Sequence, residues 1–577
     1  MNKLVNTGGK IFYKTLLKNK VSNLFGFSGG AVMPLFDSLY QGQINYYINT
    51  HEQNCGHAAT AYAKASDKTG VALVTSGPGI TNMITPLLDA KNDSTPLVVF
   101  SGQVPMSAMG TNAFQEAPAV ELTKHVTKWS YQVQDINEME SVIDEAFKVA
   151  NNGKKGSVHI DIPKCVSYQT LTENKNVDSG KIKTIDNISI EKYKFVADVI
   201  NKSEKPIIYL GKGCIDAYYK LRIFAKCANI PVTSTIHGCG VYDETDCLSL
   251  RWCGMHGNVA ANYGLQEADT IIAIGSRFDD RTTGNIEKYA PKAFDAFLNQ
   301  KGGIIHVNIN DDEINYVVNS HYNFNTTCEK FLSNMIPFIQ YKKRESWLNY
   351  LHSIKEMYPF DLKTSNNVLT MESTINELYK QTKHKHTIFT TGVGNHQMQA
   401  YQFIKSEYPK KILSSGSLGV MGAGLPYAIG AQIANPKSLV IDIDGDSSFN
   451  MTLSDLKTIV EHNLPVKIAI MNNSSQMMVN IWERLFYEER YTATENKRNP
   501  NYVKLARSFG LNSLMCDNPN YLSDIVTEFI NMDGPVLCEF KIEPDICLPL
   551  VGPGNALDNM ILPKNKKKIE LVGMAPS

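Results

Sequence analysis

Two short polar segments contain the side chains best suited to bind a metal ion. Asp444, Gly445 and Asp446 follow the apolar run 439–443, and Asn472-Asn473 follows the apolar run 466–471. Carboxylate and amide oxygens are hard ligands that suit Mg²⁺, and helix N-terminal amides with two following serines could bind a diphosphate. Each segment alone is typical of a helix cap or a turn. Their joint spacing favours a metal and diphosphate site.

The elements around these segments explain how they could meet. The residues between them include apolar side chains at helical spacing, from Leu453 to Val460, and the helix should end near 463–465. A strand, a helix and a second strand in this order predict a right-handed crossover in a parallel sheet. The carboxyl ends of both strands then lie at one edge of the sheet, where ligands bind in open α/β folds.

A second candidate is Glu52, which follows the strand-like run 46–50 and precedes a helix rich in alanine. A glutamate in the first turn of a helix is favoured by the helix dipole, so Glu52 alone is compatible with a structural role. Its position between a strand and a helix is equally compatible with a site.

The whole chain repeats the unit of a β-branched strand, a glycine-containing turn and a helix, which predicts an α/β fold with three doubly wound parallel-sheet domains. The polar stretch 166–190 and the charged, aromatic stretch 340–371 are interpreted as linkers. We therefore expect domains at 1–168, 188–342 and 370–555. Residues 556–577, with the basic run 564–568, are expected to be a solvated tail.

Composition excludes several classes of protein. The 577 residues include 57 Lys+Arg and 57 Asp+Glu, so the formal net charge of zero favours neither nucleic acid nor an anionic membrane as a partner. No run approaches the roughly 20 apolar residues that cross a bilayer, and the start lacks the features of a signal peptide. The eleven cysteines form no Cys-x-x-Cys pair. Together these features predict an intracellular, cytoplasmic enzyme.

The segment 445–473 resembles the thiamine-diphosphate motif, in which Gly-Asp-Gly is followed at similar spacing by Asn-Asn. Further similarity to the catalytic subunits of acetolactate synthases extends from about residue 8 to about 550. In the first domain it rests on segments 26–31, 51–53, 75–79, 102–105 and 113–118, with Asn82, and in the third on 393–396 and 416–426. The resemblance implies a pyrimidine-binding domain, a central FAD-type domain and a diphosphate-binding domain, in that order.

The resemblance assigns roles to residues of both outer domains. Glu52 contacts N1′ of the aminopyrimidine, the carbonyl group of Gly419 accepts the 4′-amino group, and Met421 holds the two rings in a bent conformation. The metal ligands are the side chains of Asp446 and Asn473 and the carbonyl group of Ser475. The implied thiamine-diphosphate residues are Gly29, Gly30, Glu52, Pro78, Asn82, Val393, Gly394, Asn395, His396, Gly419, Met421, Gly445, Asp446, Ser447, Ser448 and Asn473.

Two of these positions depart from the family pattern. Asn395 stands where glutamine is usual, and Ser447 replaces the third glycine of the motif. If that position has a positive φ, serine costs of the order of 1 kcal/mol. The hydroxyl group could instead contact the phosphate.

The central domain points to the FAD-containing branch of the family through Arg277-Phe-Asp-Asp-Arg281 and the preceding Met255-His256-Gly257. FAD would be structural, because the net reaction changes no oxidation state. Asn308 and Asn310 depart from the aspartates usual near the adenosine. The implied FAD residues are Gly211, Gly213, Thr235, Met255, His256, Gly275, Arg277, Asp279, Arg281, Asn308 and Ile309.

The family reaction decarboxylates pyruvate and joins the hydroxyethyl unit to pyruvate or 2-oxobutanoate, giving 2-acetolactate or 2-aceto-2-hydroxybutanoate for branched-chain amino acid synthesis. By the same match Arg281 and Trp482 recognise the second 2-oxo acid, and Gln115 and Lys128 lie near the active site. Serines and Met477 after Asn473 alter the acceptor side.

The resemblance further implies a homodimer or dimer-based oligomer and allows a small regulatory subunit. Alternative functions are a related 2-oxo acid decarboxylase, a pyruvate oxidase or a paralogue that does not turn over.

Overall fold

The computed structural model describes residues 6–180, 187–360 and 362–563. These residues form two compact units. The first contains the described residues up to 180 together with 365–400 and 412–544, and the second contains the described residues of 187–364 together with 401–411 and 545–563. The basic run 564–568 of the predicted tail lies outside the described residues.

Three six-stranded sheets, all of parallel strands, are present in the described residues, two in the first unit and one in the second. The first sheet consists of β1 Asn23–Gly26, β2 Asn45–Ile48, β3 Gly70–Val74, β4 Leu97–Gln103, β5 Trp129–Gln132 and β6 Ser157–Pro163. The central sheet, in the second unit, consists of β7 Pro206–Leu210, β8 Val232–Ser234, β9 Ser249–Trp252, β10 Thr270–Ile274, β11 Gly303–Asn308 and β12 Tyr322–Asn325. The third sheet consists of β13 Thr387–Thr391, β14 Ile412–Ser414, β15 Leu439–Gly445, β16 Lys467–Asn472, β17 Asn512–Cys516 and β18 Val536–Lys541, and a short antiparallel pair follows with β19 Leu550–Val551 and β20 Met560–Ile561.

The strand orders explain why each sheet can bind a ligand. The first and third sheets follow one pattern, β2-β1-β3-β4-β6-β5 and β14-β13-β15-β16-β18-β17. The central sheet has the order β9-β8-β7-β10-β11-β12, which is the order of dinucleotide-binding folds. Within each sheet the direction of chain progression reverses between two inner strands, which are β1 and β3, β7 and β10, and β13 and β15. Ligands bind in the crevice that such a reversal opens at the carboxyl ends of the strands.

The helices cover both faces of the sheets, as expected where parallel strands are apolar on both sides. Their bounds are α1 Gly8–Lys18, α2 Met33–Asp37, α3 Glu52–Ala65, α4 Pro78–Thr81, α5 Ile84–Asn92, α6 Ala119–Thr123, α7 Met139–Asn151, α8 Lys164–Tyr168, α9 Ile190–Lys202, α10 Tyr218–Ala228, α11 Val259–Glu267, α12 Asp280–Thr283, α13 Pro291–Leu298, α14 Cys328–Met335, α15 Glu345–Met357, α16 Met371–Thr382, α17 Asn395–Phe403, α18 Gly424–Ala434, α19 Asp446–Phe449, α20 Leu456–Glu461, α21 Met477–Phe486, α22 Tyr502–Phe509 and α23 Leu522–Asn531. No helix of the described residues is long and apolar enough to cross a membrane.

The three predicted α/β sheets are confirmed, but the interpretation of 340–371 as a linker was wrong in part. Helix α15 lies within this stretch and buries Trp347, Leu351 and Ile354 in the core of the second unit. Their spacing of four and three residues is that of one helix face. The true connection is therefore shorter than predicted.

Helices α3 and α18 pack very closely inside the first unit, and the alanines of α3 make this possible. A Cβ atom on Gly430 of α18 would lie only 2.0 Å from the carbonyl oxygen of Ala58 in α3. Ala58 belongs to a core that combines side chains from the first and third sheets, and Gly430 is buried against it. Small residues at this contact let the two backbones approach, so the two domains of the first unit share one core.

We expect Gly430→Ala to lower the stability of the first unit by about 1–3 kcal/mol, because an added methyl group meets backbone that cannot give way. Scanning calorimetry of the full chain measures this as a lower unfolding midpoint. Ala434→Ser adds one atom at a half-buried position near the end of the same helix and is the control. Equal midpoints for the two variants would contradict the close contact.

Candidate active site

The predicted metal segment lies at the carboxyl edge of the third sheet. Strand β15 ends at Gly445, which is in register with Met471 of the neighbouring β16, and α19 begins at Asp446. The side chains of Asp446 and Asn472 are bridged by Asn499, whose Nδ2 donates to Asp446 Oδ2 at 2.7 Å and to Asn472 Oδ1 at 3.1 Å. The strand-helix-strand unit expected from the sequence therefore brings the two polar segments together.

The carboxylate of Asp446 is buried and strongly hydrogen-bonded. In addition to Asn499, the side chain of Asn496 donates to Asp446 Oδ2 at 2.8 Å and to Ser447 Oγ at 2.6 Å. Burial raises the pKa of Asp446 above its ordinary value, and the two amide hydrogen bonds oppose this rise. Sequence analysis missed both asparagines, since they follow α21 in an irregular loop that has no recognisable motif.

Ser447 has a helical backbone conformation, because it is the second residue of α19. The energetic penalty considered for a positive φ at this position therefore does not arise, and the hydroxyl group accepts a hydrogen bond from Asn496. Replacing the family's glycine with serine is compatible with the local backbone.

The chain turns sharply after β16 and is fixed there by a second segment. Ser474 has a φ of 53°, and Asn473 Oδ1 accepts a hydrogen bond of 3.2 Å from the Ser475 amide. The Ser474 carbonyl accepts from the Asn496 amide at 2.8 Å, and the Gln476 amide donates to Thr494. Asn473 and Ser475 thus follow β16 at the same edge of the third sheet as Asp446.

The glycine turn after β13 lies against the same edge. A Cβ atom on Gly392 would lie 2.1 Å from both Asp444 Oδ1 and Ser448 Oγ, so only glycine fits there. Asp444 is completely buried and its Oδ1 lies 3.2 Å from His396 Nε2. The Gly422 amide donates to Ser448 Oγ at 2.9 Å. Three chain segments that are distant in sequence therefore converge on one small region.

The segment carrying Gly419 and Met421 completes this region. Gly419 and Gly422 have φ angles of 72° and 80°, which L-residues rarely adopt, and a Cβ atom on Gly419 would be 4.0 Å from the side chain of Val393. Gly394 has a φ of 151° and lies against the ring of His396. Met421 is half-buried. The predicted residues 393–396 and 419–421 are thus neighbours.

Glu52 lies at the carboxyl edge of the first sheet. It is the first residue of α3, and its Oε2 accepts a hydrogen bond of 3.0 Å from Asn82 Nδ2. Pro78 begins α4 after Gly77, whose φ is 57°, and a Cβ atom on Gly77 would lie 3.0–3.1 Å from atoms of Gln115. This edge of the first sheet therefore brings together four of the predicted residues, Glu52, Pro78, Asn82 and Gln115.

Two glycines follow β1 at the same edge, across the sheet's reversal point from Pro78, which follows β3. A Cβ atom on Gly29 would lie 2.5 Å from the side chain of Thr75, which follows β3, while the space beside Gly30 is open for at least 4 Å. The first glycine therefore allows close packing of the backbone, and the second leaves open space beside it that a flat ligand could enter.

Lys128 does not join this group. It precedes β5 and so lies at the amino edge of the first sheet, opposite to Glu52. Its ammonium group donates to the carbonyl oxygens of Val149 and Asn152, the latter at 2.7 Å, and burial lowers its pKa to about 8. The structure therefore places Lys128 at the end of α7, at the opposite edge of this sheet from Glu52, and its assignment to the active site stays a prediction.

The predicted FAD residues of the second unit gather at the reversal point of the central sheet. Gly211 and Gly213 follow β7, and Cβ atoms on them would lie 2.3–2.8 Å from backbone atoms of Gly275, which follows β10 with a φ of 65°. The side chain of Asn308, at the end of β11, donates to the Ser276 carbonyl at 2.8 Å. Such close backbone contacts are typical of a nucleotide-binding edge.

The remaining predicted residues of the second unit lie beside it. The Met255 amide donates to the Arg281 carbonyl at 2.8 Å, and buried His256 lies with Nδ1 3.2 Å from the Pro549 carbonyl. Burial raises the pKa of Asp279. Arg281 is exposed. Thr235 follows β8, Arg277 and Asp279 precede α12, and Ile309 follows β11.

Trp482 lies in the first unit, on α21. It is half-buried and its ring packs against Phe486 at a centroid distance of 5.2 Å. An indole held in this way keeps part of its face available to an alkyl group.

Three domain families match the chain in the same order as the sheets. They are the thiamine pyrophosphate enzyme N-terminal TPP binding domain at residues 6–122, the central domain at 193–335 and the C-terminal TPP binding domain at 392–540. The mitochondrial acetolactate synthase catalytic subunit of Saccharomyces cerevisiae is 41% identical over 96% of this chain and 83% of its own length. The mitochondrial acetolactate synthase of Schizosaccharomyces pombe is 42% identical over 96% and 86%. The chain belongs to the acetolactate synthase family.

Relatives outside the fungi agree with this assignment. The acetolactate synthase large subunit of Cyanidium caldarium is 36% identical over 98% of this chain and 99% of its own length. Members of the acetolactate synthase family are thiamine pyrophosphate enzymes, so the two outer sheets, with their converging glycine turns, are the thiamine-diphosphate domains of this chain.

We expect Asp446→Asn to weaken binding of Mg²⁺ and thiamine diphosphate by at least about 100-fold, because the buried carboxylate is the one formal negative charge that the expected ligand set contributes. Titration calorimetry measures this loss. Since burial raises the pKa of Asp446 and only the ionised form binds a cation, affinity in the unmodified chain should fall on acidification before an ordinary aspartate would protonate.

Asp517→Asn, an exposed aspartate in the same domain, is the control. Unchanged cofactor affinity in Asp446→Asn would remove this residue from the site.

Proposed function

We propose that this chain catalyses the acetolactate synthase reaction, in which pyruvate loses CO₂ and its two-carbon remainder is joined to a second 2-oxo acid. The observation that carries this proposal is the convergence of the start of α19 at Asp446, the turn 392–396 and the turn 419–422 at the carboxyl edge of the third sheet. Full-length similarity to acetolactate synthase catalytic and large subunits supports it.

The residues present fit Mg²⁺ and the diphosphate group. The Asp446 carboxylate, the Asn473 amide and the Ser475 carbonyl offer the hard oxygen ligands that Mg²⁺ prefers. Ser447, Ser448 and the amide groups at the start of α19 face the same edge and would hold the phosphate oxygens. Glycines whose Cβ atoms would clash, such as Gly392, let the backbone come close to such a ligand.

Thiamine diphosphate, when bound, supplies the carbon nucleophile that attacks the 2-oxo acid and stabilises the product of decarboxylation. Glu52 would share a proton with N1′ of the aminopyrimidine. Asn82 fixes the orientation of Glu52 through one hydrogen bond. The carbonyl group of Gly419 would accept from the 4′-amino group, and Met421 would hold the rings in place. Each of these residues orients the cofactor or moves a proton.

We propose that two copies of the chain form a dimer and that this dimer contains two active sites. Several apolar side chains next to predicted cofactor residues are exposed in the single chain. Phe114, beside Gln115, is 88% exposed, and Met451 in the loop after α19 is 59% exposed. A second copy would cover them, as exposed apolar patches at functional edges usually require. A regulatory subunit, implied by the words "catalytic subunit" in the names of relatives, remains part of the proposal.

We also propose structural FAD in the second unit, at the edge formed by Gly211, Gly213, Gly275 and Asn308. The central sheet has the strand order of dinucleotide-binding folds, and these residues lie at its reversal point. Arg281 and Trp482 are proposed to bind the carboxylate and the alkyl group of the acceptor 2-oxo acid. The domain limits 1–168, 188–342 and 370–555 stay proposals, with α15 added to the central domain because its buried side chains belong to the core of the second unit.

The purified chain with pyruvate, Mg²⁺ and thiamine diphosphate should release CO₂ and form 2-acetolactate, and added 2-oxobutanoate should give 2-aceto-2-hydroxybutanoate. Glu52→Gln should lower the rate by at least about 100-fold, the usual contribution of a positioned proton-transfer group. Product analysis by mass spectrometry measures both.

Glu121→Gln, an exposed glutamate of the same domain, is the matched control. Free aldehyde as the main product would indicate a decarboxylase instead, and oxygen-dependent peroxide a pyruvate oxidase. Full activity of Glu52→Gln would contradict the role of this glutamate.

FAD should copurify with the chain and give a flavin absorption spectrum. Gly275→Ala should reduce the flavin content strongly, because its φ of 65° and its contact with Gly213 leave no room for a side chain. Gly534→Ala, which also changes a glycine of positive φ but has no atom within 4 Å of its Cβ position, is the control. Equal flavin content in both variants would argue against a nucleotide at this edge.

A further inference from the structure

The segment Ser415–Met421, here called the central turn, connects β14 to α18 and contains Gly419 and Met421. Within the diphosphate domain, the side chain of Gln397 on α17 donates to the Ser415 carbonyl at 2.9 Å. Further hydrogen bonds to this turn come from α5 of the pyrimidine domain within the same unit and from the residue that follows α5. This is unexpected for a part of the diphosphate domain.

The first contact is made by Asp93, which directly follows α5. Its carboxylate accepts hydrogen bonds from two consecutive backbone amides of the central turn, Gly416 at 3.2 Å and Ser417 at 2.9 Å. Asp93 is 2% exposed. A buried carboxylate that accepts two backbone N–H groups fixes the direction of both peptide planes.

The second contact runs through Asp89, one turn earlier on α5. Its Oδ1 accepts from Ser415 Oγ at 2.6 Å, and its Oδ2 accepts from Tyr427 Oη at 2.7 Å. Ser415 Oγ in turn accepts from the Val420 amide at 3.0 Å, which closes the turn between Ser415 and the residue before Met421. Ser415 therefore links Asp89 to the backbone next to Gly419 and Met421, the residues that would contact the cofactor.

The third contact comes from Lys64, near the end of the helix that begins at Glu52. Its ammonium group lies 2.7 Å from Asp93 Oδ2, 2.7 Å from the Ser414 carbonyl and 3.1 Å from Tyr427 Oη. This ion pair is buried on both sides, so each partner needs the other. His57 lies with Nδ1 3.8 Å from Asp89 and is neutral at physiological pH, because burial lowers its pKa to about 4. A neutral His57 forms no ion pair with Asp89, whose carboxylate accepts the hydrogen bonds from Ser415 and Tyr427.

We propose that Asp89, Asp93 and Lys64 are positioning residues for the reaction. They hold the central turn so that the Gly419 carbonyl and the Met421 side chain lie where the aminopyrimidine requires them. This inference rests on the proposed function, since it takes the roles of Gly419 and Met421 from it. The pyrimidine domain then contributes twice to catalysis, with Glu52 at the start of α3 and with the support of the central turn near its end.

The test uses Ser415→Ala in the full-length chain with Mg²⁺ and thiamine diphosphate. The variant removes the link between Asp89 and the Val420 amide while leaving a residue of nearly the same size. We expect affinity for thiamine diphosphate to fall about tenfold, the factor that corresponds to one hydrogen bond to a charged group. Exchange of the C2 proton of the saturated cofactor with D₂O, followed by NMR, should slow as well. Asp93→Asn should have the same effects.

Matched controls are available in the second unit. Ser203 is 1% exposed and donates to the carboxylate of Asp269, which also accepts from the Glu204 and Lys205 amides at 2.8 Å and 2.9 Å. Ser203→Ala and Asp269→Asn thus remove the same kinds of hydrogen bond away from the central turn. They should lower the unfolding midpoint without changing cofactor affinity or C2 proton exchange.

Two outcomes separate a positioning role from a structural one. If Ser415→Ala lowers the unfolding midpoint as its control does but leaves affinity and C2 proton exchange unchanged, the proposal is overturned. If Asp93→Asn fails to fold, Ser415→Ala alone decides. Both readouts need no 2-oxo acid, so absence of acetolactate from the unmodified chain would refute the proposed function and would not be mistaken for failure of this inference.

Discussion

Parallel pairing of strands places all their carboxyl ends at one edge, and the position of the site in each domain follows from this constraint. At the point where the strand order reverses, two neighbouring connections leave the sheet on opposite faces and open a crevice between them. In the third sheet this point lies between β13 and β15, whose ends carry the turn at Gly394 and the start of α19 at Asp446. In the first sheet it lies between β1 and β3, whose ends carry Gly29 and Pro78. The chemistry of the site is thus set by which residues follow these four strands and the neighbouring strands β2, β14 and β16, which precede Glu52, Gly419 and Asn473.

Close approach at the crevice has an energetic cost that the surrounding packing offsets. Asp444 and Asp446 are both nearly inaccessible to solvent, and burying a carboxylate is unfavourable unless hydrogen bonds or opposite charges compensate. Asp446 receives two side-chain amides, and Asp444 receives the Gly445 amide at 2.9 Å and lies beside His396. Gly392 has no side chain to occupy the remaining space. These groups form one tightly coupled region, in which a change at any member alters the positions of the others.

Much of the site was predictable because its residues occupy fixed places relative to strand ends. Asp446 was singled out from the alternation of apolar strands and helices, and the crossover between β15 and β16 follows from the same pattern. For Glu52 that pattern gave only a place between a strand and a helix, and its role was assigned through the family resemblance. Asn496 and Asn499 were not found, since residues of an irregular loop have no periodicity that relates them to a sheet edge. The place of Lys128 at the amino edge of the first sheet was not predictable, because a motif match carries no information about which end of a strand a residue precedes.

The departures from the family pattern have different consequences at the two ends of the site. At the metal end, Ser447 lies in the first turn of α19 and needs no left-handed backbone, and Met477, where the family has glycine, is 4% exposed at the start of α21. Both substitutions are therefore absorbed by regular helical structure. Further along α21, Val479 is 52% exposed and Trp482 is half-buried, so this helix presents an open apolar face. On the roles proposed above, selection of the acceptor would depend on that face, whereas binding of the cofactor would depend on strand ends that the substitutions leave unchanged. The geometry of this chain therefore allows acceptor preference to vary while the cofactor chemistry is retained.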